Sequence, residues 1–365
     1  MTEPFVHRTL AAKVVFGAGA LASLAGELAE LGVRRPMLVS GKRTAGSAVH
    51  ARVRDALASL PYESFDLVPE HSSVETVERL AIRAREARID GFVAVGGGSA
   101  SDTAKAVALL LAEGGPLERH ASRFTPPDRL VIPALPAPKL PIAAVPCTAS
   151  AAEVTPSLGV RSPDGTKLLF SDVKLASRLV VIDPVANVCV PARLMLSTGM
   201  NGLAHCVEGL YSKVRTPVTS ALAVDGIARF MKALPAVARE PESAAHRGDL
   251  LVAAHLSGQV LLNARTCLHH AICHVLGAST GISHGDANSV MLPGVARFNG
   301  RQDLEASVRA LRESIGVPTR LRDLGVAREA LAAVATHVMG ERGLYFNPRP
   351  VRSPEEVLAL LESAW

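Results

Sequence analysis

In the stretch Asp90-Gly91-Phe92-Val93-Ala94-Val95-Gly96-Gly97-Gly98-Ser99, a short apolar run leads directly into three glycines and a serine. An apolar run of this length, bounded by turn residues, predicts a buried β-strand. The residues from Ser101 to Leu109 then follow a helical pattern. Successive glycines let backbone N–H groups approach a phosphate, and a helix start adds unpaired donors and partial positive charge. The junction therefore predicts a diphosphate-binding turn.

The turn does not by itself identify the nucleotide. Neither the GxGxxG fingerprint nor the GxxxxGK[ST] motif is matched at this junction. An ordinary glycine-rich turn between a strand and a helix is the alternative. Asp102 and Lys105 lie on the first turns of the predicted helix, where we expect both to reach whatever the loop binds.

The same rhythm of short apolar runs and helical patterns extends over residues 1–190. It predicts an α/β domain with further strands at residues 12–16, 36–40, 62–68, 140–145 and 179–183. Residues 126–141 are rich in proline and predict a surface loop, and Gly165-Thr166-Lys167 predicts a hairpin turn. From residue 191 to 365 only long helical periodicity remains. We therefore expect a Rossmann-like nucleotide-binding domain at 1–190 and an all-helical domain at 191–365.

A second pattern is a concentration of histidines in Cys267-Leu268-His269-His270-Ala271-Ile272-Cys273-His274-Val275-Leu276-Gly277 and at His284. His270 and His274 are four residues apart, which places them on one face of a helix. Gly277 predicts the end of that helix, and Gly281 predicts a turn that returns His284 to the same face. Asn201 and His205 repeat the spacing upstream. The pattern predicts a polyhistidine pocket in a helical core; the alternative is separate histidines, each satisfied locally.

Composition excludes several classes of function. The chain has 365 residues, 48% hydrophobic and 20% charged, with no apolar run near the ~20 residues of a membrane span. Its N-terminus lacks a basic region followed by an apolar stretch, and its five cysteines form no CxxC pair, so we expect a cytoplasmic protein. A net charge of +5, scattered arginines and 4% aromatic residues argue against nucleic-acid binding. The mild positive charge suits a small anionic partner.

Three motifs together resemble the iron-containing alcohol dehydrogenase superfamily, most closely the maleylacetate reductases. They are GGGSxxDxAK (96–105), GMNxLAHCVExLYS (199–212) and HHxxCHxLG…H (269–284). Shorter similarities at 14–19, 217–220 and 347–350 extend the resemblance over nearly the whole chain. The resemblance implies a nucleotide-binding α/β domain joined to a helical domain, an active site in the cleft between them, and a homodimer.

The resemblance also implies roles for particular residues. The superfamily's metal-dependent members use one aspartate and three histidines, and these positions correspond to Asn201, His205, His270 and His284. Maleylacetate reductases carry the same asparagine and are regarded as metal-free. Because a neutral amide is a weaker ligand than a carboxylate, we expect iron or zinc to bind weakly or not at all, although three imidazoles could still hold zinc. The expected catalytic residues, which bind carboxylate or deliver protons, are His205, His270, His274 and His284.

We expect an enzyme that transfers hydride between NADPH or NADH and a small oxo or unsaturated acid. The cofactor-binding residues that we predict are Gly41, Lys42, Gly96, Gly97, Gly98, Ser99, Asp102, Thr148 and Lys167. No carboxylate follows the second strand, where Lys42 or Arg43 could pair with a 2′-phosphate, so we expect NADPH to be accepted at least as well as NADH. Two segments, 101–104 and 147–153, depart from the reductase pattern, which weakens the claim that the substrate is maleylacetate itself. The alternatives are a metal-dependent alcohol dehydrogenase or aldehyde reductase, and a non-redox lyase, cyclase or binding protein.

Overall fold

The computed structural model describes residues 4–126 and 129–365. Its strands are β1 (Lys13–Phe16), β2 (Pro36–Gly41), β3 (Glu63–Val68), β4 (Gly91–Gly96), β5 (Arg123–Thr125), β6 (Arg129–Val131), β7 (Ile142–Pro146), β8 (Ser157–Arg161), β9 (Lys167–Ser171) and β10 (Leu179–Ile182). Its helices are α1 (Leu24–Glu30), α2 (Lys42–Ala45), α3 (Ala48–Ala56), α4 (Val74–Glu86), α5 (Gly98–Glu113), α6 (Pro184–Asn187), α7 (Ala192–Tyr211), α8 (Pro217–Arg239), α9 (Ala244–Ala264), α10 (Leu268–Thr280), α11 (His284–Phe298), α12 (Gln302–Ser314), α13 (Leu331–Val338), α14 (Gly343–Phe346) and α15 (Pro354–Ser363).

Six parallel strands form the central sheet in the order β1-β10-β7-β4-β2-β3. Strand β4 is buried along its whole length, as expected for a parallel strand covered on both faces. Strands β7, β10 and β1 lie on one side of β4, and β2 and β3 lie on the other. The order of the strands therefore reverses between β2 and β4. Ligands of open α/β sheets bind at the carboxyl ends of the strands at such a reversal.

Alternating side chains of β4 enter two different cores. Phe92 and Ala94 pack with residues of α4 and α5 on one face of the sheet. Val93 and Val95 pack on the other face with residues of α1 and α3, in a core that continues into α7, α8 and α9. A third core lies among α10, α11, α13 and α15. Apolar burial thus joins the sheet to the first helices of the C-terminal half.

Two short hairpins lie outside the main sheet. In one, β8 pairs antiparallel with β9, across the turn predicted at Gly165, whose φ is 87°. In the other, β6 pairs with β5, so part of the proline-rich segment predicted as a loop is a strand. The Leu-Val pair in β6 and the Phe-Thr pair in β5 suit a pleated surface, which outweighs the flanking prolines. Residues 127 and 128 lie outside the described residues.

Only helices and their connections follow β10, over residues that are all described. The change from sheet to helices falls between Ile182 and Ala192, while the division of the chain into domains at residue 190 stays a prediction. None of the helices in the described ranges has the length and apolarity needed to cross a membrane.

Two predicted helix boundaries are wrong. Helix α10 continues past Gly277 to Thr280, and the residue that ends it is Gly281, with a φ of 75°. A glycine inside a helix costs only about 1 kcal/mol, so the well-packed α10 tolerates Gly277. Helix α5 begins at Gly98, three residues before the predicted start at Ser101. Gly98, the last of the three glycines, therefore belongs to the first turn of α5.

Candidate active site

The glycine turn between β4 and α5 lies at the reversal point of the sheet. An added Cβ on Gly97 would lie 2.9 Å from Cγ2 of Thr148, so the turn and the segment after β7 are in close contact. An added Cβ on Gly98 would meet only Cβ of Ala152, at 3.6 Å. Gly96 has a φ of 141°, which favours glycine, and it lies against Thr44 in α2. The structure thus brings together Gly96, Gly97, Gly98 and Thr148.

Ser99, Asp102 and Lys105 make contacts within the protein. The Ser99 hydroxyl accepts a hydrogen bond from the His71 N–H at 3.2 Å, and Asp102 Oδ2 accepts one from the Gly159 N–H at 3.0 Å. The fully buried Lys105 ammonium donates to backbone carbonyls of the segment after β7. Lys105 therefore does not reach the ligand side of the loop as expected. The role of Asp102 as a cofactor contact stays a prediction.

Lys167 is an exposed residue at the start of β9, in the β8–β9 hairpin. An added Cβ on Gly159 would lie 2.5 Å from Cε of Lys167, so the lysine side chain lies flat across this glycine. The surrounding protein lowers the pKa of Lys167. Asp102, which accepts the hydrogen bond from the Gly159 N–H, attracts the Lys167 ammonium and opposes that shift. Lys167 in turn lowers the pKa of His270, His274 and His284. A residue of the α/β half thus acts on the histidines of the helical half.

Gly41, Lys42 and Arg43 follow β2, next to the glycine turn. An added Cβ on Gly41 would lie 3.2 Å from the Val68 carbonyl oxygen. Arg43 pairs with Glu70, and both side chains are exposed. Lys42 has no acidic partner in the parts of the chain that the structure describes. Of the two cations predicted to meet a 2′-phosphate, Lys42 is therefore the one available.

The four predicted catalytic histidines come together in the helical half. His205 in α7 stacks on His270 in α10, with ring centroids 4.7 Å apart. His284, the first residue of α11, lies 5.7 Å from His270 and stacks on His274 at 5.4 Å. His205 and His270 are buried, whereas His274 and His284 are half-buried. The last two are therefore the imidazoles that a substrate in the cleft would contact.

His270 is fixed from both sides. Its Nδ1 lies 2.6 Å from Glu208 Oε2, and its Nε2 lies 3.0 Å from Asn201 Oδ1. A neutral imidazole carries one proton, so two arrangements satisfy the ring. In one, Nδ1–H donates to the Glu208 carboxylate, and the Asn201 side-chain amide, turned so that its NH2 faces the ring, donates to Nε2. In the other, a protonated Glu208 donates to Nδ1, and Nε2–H donates to Asn201 Oδ1. Burial raises the pKa of Glu208 and lowers that of His270. In both arrangements each ring nitrogen already has a partner.

Comparison with known proteins identifies the family. A family model for iron-containing alcohol dehydrogenase matches residues 11–184, and a model for the C-terminal part of the Fe-containing alcohol dehydrogenase family matches residues 195–306 and 299–365. The chain is 32% identical to a maleylacetate reductase of Sphingobium indicum over 377 residues, which cover 99% of this chain and 97% of the relative. The chain belongs to the iron-containing alcohol dehydrogenase family.

Two further family members are similar to this chain over most of its length. The chain is 29% identical to a 4-hydroxybutyrate dehydrogenase of Cupriavidus necator over 359 residues, covering 91% of this chain and 92% of the relative. The crystal structure of maleylacetate reductase from Agrobacterium tumefaciens matches with a TM-score of 0.85 at 27% identity, covering 100% of this chain and 98% of that one. The predicted fold class and resemblance are confirmed. This family member is an NAD(P)-dependent oxidoreductase that resembles maleylacetate reductases.

The family is named for iron, so the ligand atoms at this site matter for whether it can hold a divalent metal. At the predicted site the donors are one amide and three imidazoles, all neutral, and His270 Nε2 is engaged by Asn201. Among the residues that the structure describes, only Glu208, His269 and His270 bring three ligand atoms within 4.8 Å of one another. The 2.6 Å contact between Glu208 and His270 is a hydrogen bond. The side chains therefore do not fit a tightly held divalent metal.

Burial disfavours the protonated form of the four histidines. It is the largest cause that lowers the pKa of His205, His270, His274 and His284. For His274 the Glu341 carboxylate, 3.4 Å from Nδ1, opposes this shift. His274 is therefore the imidazole whose protonated form has an anionic partner.

The sequence interpretation missed Glu208 and Glu341. Glu208 lies seven residues after Asn201 and three after His205, so helical spacing places all three on one face of α7. This spacing in the sequence could have indicated that Glu208 lies next to the predicted site. Glu341 meets His274 from a different part of the chain, 67 residues away, and no local pattern indicates that contact.

Proposed function

We propose that this enzyme reduces a small oxo or unsaturated carboxylic acid of the maleylacetate type with NAD(P)H. The proposal is carried by the cluster in which His284 stacks on His274 with ring centroids 5.4 Å apart, with Lys167 of the α/β half close enough for its charge to lower the pKa of both. Two relatives named for carboxylate substrates, maleylacetate and 4-hydroxybutyrate, support an acid as the substrate.

The residues divide the chemical work as follows. When bound, the nicotinamide supplies the hydride. The N–H groups at the start of α5 would hold its diphosphate, and Thr148 would contact it beside Gly97. Lys167 would stabilise the negative charge that develops on the substrate oxygen. His274, with Glu341 at its other nitrogen, would deliver the proton, and His284 would fix the ring by stacking. His205 and His270 would shape the floor of the pocket.

A substrate panel tests the proposal. We expect the purified enzyme to oxidise NADPH or NADH with maleylacetate and with 4-oxobutanoate, and at least tenfold more slowly with neutral butanal. The measurement is kcat/KM for each compound. Loss of preference for the acids, with an alcohol or aldehyde preferred, would favour the alcohol dehydrogenase alternative. No nicotinamide oxidation with any compound would contradict the proposal.

Metal independence is a separate prediction. We expect activity to survive a chelator, and the purified enzyme to contain well under one iron or zinc per chain by elemental analysis. Asn201→Asp should raise metal occupancy, because it restores an anionic ligand beside three imidazoles. Without metal the same buried carboxylate should lower the melting temperature, and added zinc should restore it. Tightly bound stoichiometric metal in the unmodified enzyme, required for turnover, would contradict this prediction.

Cofactor choice is predicted from the loop after β2. We expect NADPH to be used at least as well as NADH, since Lys42 is free to meet the 2′-phosphate. Gly41→Asp should raise the KM for NADPH roughly tenfold or more, about 1.4 kcal/mol, because a carboxylate repels the phosphate. NADH should be little affected.

Gly46→Asp is the matched control for that substitution, since it adds the same charge near the same loop. Its added Cβ would have only the Arg43 carbonyl oxygen within 4 Å, at 3.9 Å. Steady-state kinetics with both cofactors give the comparison. A native preference for NADH that neither variant changes would show that this loop does not select the cofactor.

We also propose that the enzyme is a cytoplasmic homodimer. All five cysteines are free, which suits a reducing compartment. Strand β1 lies at the edge of the sheet, and its Val14 and Phe16 side chains are exposed. An edge strand with exposed apolar side chains is a surface that a second copy can cover.

A further inference from the structure

Two arginines, Arg265 and Arg342, lie on segments that adjoin α10, the helix that carries His274. Arg265 directly follows α9, and Arg342 directly precedes α14. The two segments touch, because an added Cβ on Gly343 would lie 2.5 Å from the Cys267 carbonyl oxygen. Glu341, the neighbour of Arg342, is the residue that contacts His274. The Glu341 contact thus puts the backbone of Arg342 beside His274, and the Cys267 contact brings the segment of Arg265 to it.

Neither guanidinium has a partner in the protein. Both side chains are half-buried, yet over residues 4–126 and 129–365 neither Arg265 nor Arg342 makes an ion pair or a side-chain hydrogen bond. Burial lowers the pKa of each, and each arginine's positive neighbours lower it further. Arg342 also lowers the pKa of His274 and Lys167. Together with Lys167, the two arginines outnumber the neighbouring Glu341 carboxylate, which attracts both Arg342 and Lys167.

The backbone of Arg265 adds a second observation. Its φ of 63° and ψ of 179° lie in a region that essentially only glycine occupies without strain. The sequence nevertheless has an arginine at this position. A strained backbone persists where the surrounding structure holds it and the side chain has a use. Here the strained residue carries a half-buried cation without a partner among the described residues.

We propose that Arg265 and Arg342 bind a carboxylate of the substrate that is remote from the carbon receiving hydride. A planar guanidinium binds carboxylate through two parallel N–H···O bonds, so an arginine pair both neutralises and orients such a group. The inference rests on the proposed reduction of an organic acid and deepens it. The substrate then has its carboxylate at Arg265 and Arg342 and its reacting carbon beside His274. Selection of acids over neutral carbonyl compounds is the task of this arginine pair.

Succinate and its neutral analogue succinamide are the probes, since neither can be reduced at a carbonyl group by hydride from NADPH under assay conditions. In the wild-type enzyme with NADPH present, we expect succinate to compete with maleylacetate and succinamide not to compete. Arg342→Gln and Arg265→Gly should each weaken succinate inhibition at least tenfold and raise the KM for maleylacetate more than they lower kcat. NADPH affinity, measured by fluorescence titration, should not change.

Arg265→Gly also separates binding from folding. Glycine relieves the strained backbone, so this variant should melt at a higher temperature than the wild type while it binds succinate less well. A structural role for the arginine predicts a lower melting temperature. Arg342→Lys keeps a charge without the planar fork and should lose only part of the inhibition. Arg309→Gln, which removes an exposed arginine paired with Glu305, is the control and should behave as wild type.

The outcomes distinguish the two proposals. Equal succinate inhibition in wild type and both arginine variants would overturn the carboxylate site, as would equal binding of succinamide or no succinate inhibition at all. If the wild type reduces no oxo acid, a saturable change in the fluorescence of bound NADPH on addition of succinate still reports the site. Arginine-dependent succinate binding in that case would support the carboxylate site and overturn only the proposed reduction.

Discussion

Replacing Gly98 with valine is expected to abolish binding of NADPH and NADH while the protein stays folded. Gly98 is the first residue of α5, and an added Cβ there would have only Cβ of Ala152 within 4 Å, at 3.6 Å. This is an ordinary contact, so the substitution does not disturb the interior. The branched side chain would cover the backbone N–H groups that a diphosphate must approach. We expect the Kd to rise about 100-fold or more, about 2.7 kcal/mol.

Fluorescence titration with each cofactor gives the affinity, and thermal melting reports the fold. Gly26→Val is the matched control, because an added Cβ on Gly26, in the middle of α1, has nothing within 4 Å. Gly97→Val is less informative, since its Cβ would lie 2.9 Å from Thr148 and would disturb the protein itself. Wild-type affinity in Gly98→Val would show that the cofactor does not use this turn.

The local parts of the fold and the site could be predicted from the sequence. The residues of the β4–α5 junction are consecutive in the sequence. The predicted end of the strand and the predicted start of the helix differ from the observed ones by at most three positions. The histidines of α10 and α7 could be placed because helical spacing alone puts i and i+4 on one face. Gly281 with a φ of 75° returns the chain so that His284 meets His274, as the turn residues indicated.

The contacts that set charge in the site could not be predicted in this way. Asp102 binds the Gly159 N–H, 57 residues away, and this contact supports the hairpin that carries Lys167. Glu341 reaches His274 from 67 residues away, where the nearby Gly343 packs on the Cys267 carbonyl. Such contacts depend on how distant segments pack, and no local periodicity contains that information.

The neutral amide at position 201 changes the role of its neighbours. With a carboxylate there, His270 Nε2 would face an anion across 3.0 Å, and a cation between them would be stabilised. With asparagine, the amide and Glu208 together satisfy the imidazole without a cation. The positive charge near the substrate then has to come from side chains. Lys167, Arg265 and Arg342 are the residues that can supply it.

Lys105→Met is expected to destabilise the protein strongly and to weaken cofactor binding as a consequence. The Lys105 ammonium is completely buried and donates hydrogen bonds to the carbonyl oxygens of Ala152 at 2.6 Å, Thr155 at 2.8 Å and Ser157 at 3.2 Å. Asp102 attracts it and partly offsets the lowering of its pKa by burial. Methionine keeps the length of the side chain but leaves three carbonyls without this donor and leaves Asp102 with Lys167 as its remaining nearby cation.

We expect the free energy of unfolding to fall by about 3–5 kcal/mol, the range for a buried charge that loses its partner. Urea unfolding measures it, with Lys232→Met as the control, because Lys232 is exposed on α8 and its loss should change stability by no more than about 0.5 kcal/mol. Lys105→Arg should recover part of the loss, because a cation returns but the larger guanidinium does not fit the three carbonyls equally well. The three carbonyls belong to the segment that follows Thr148, so NADPH affinity should fall in parallel with stability. A loss below about 1 kcal/mol for Lys105→Met would show that this ammonium does not hold the segment in place.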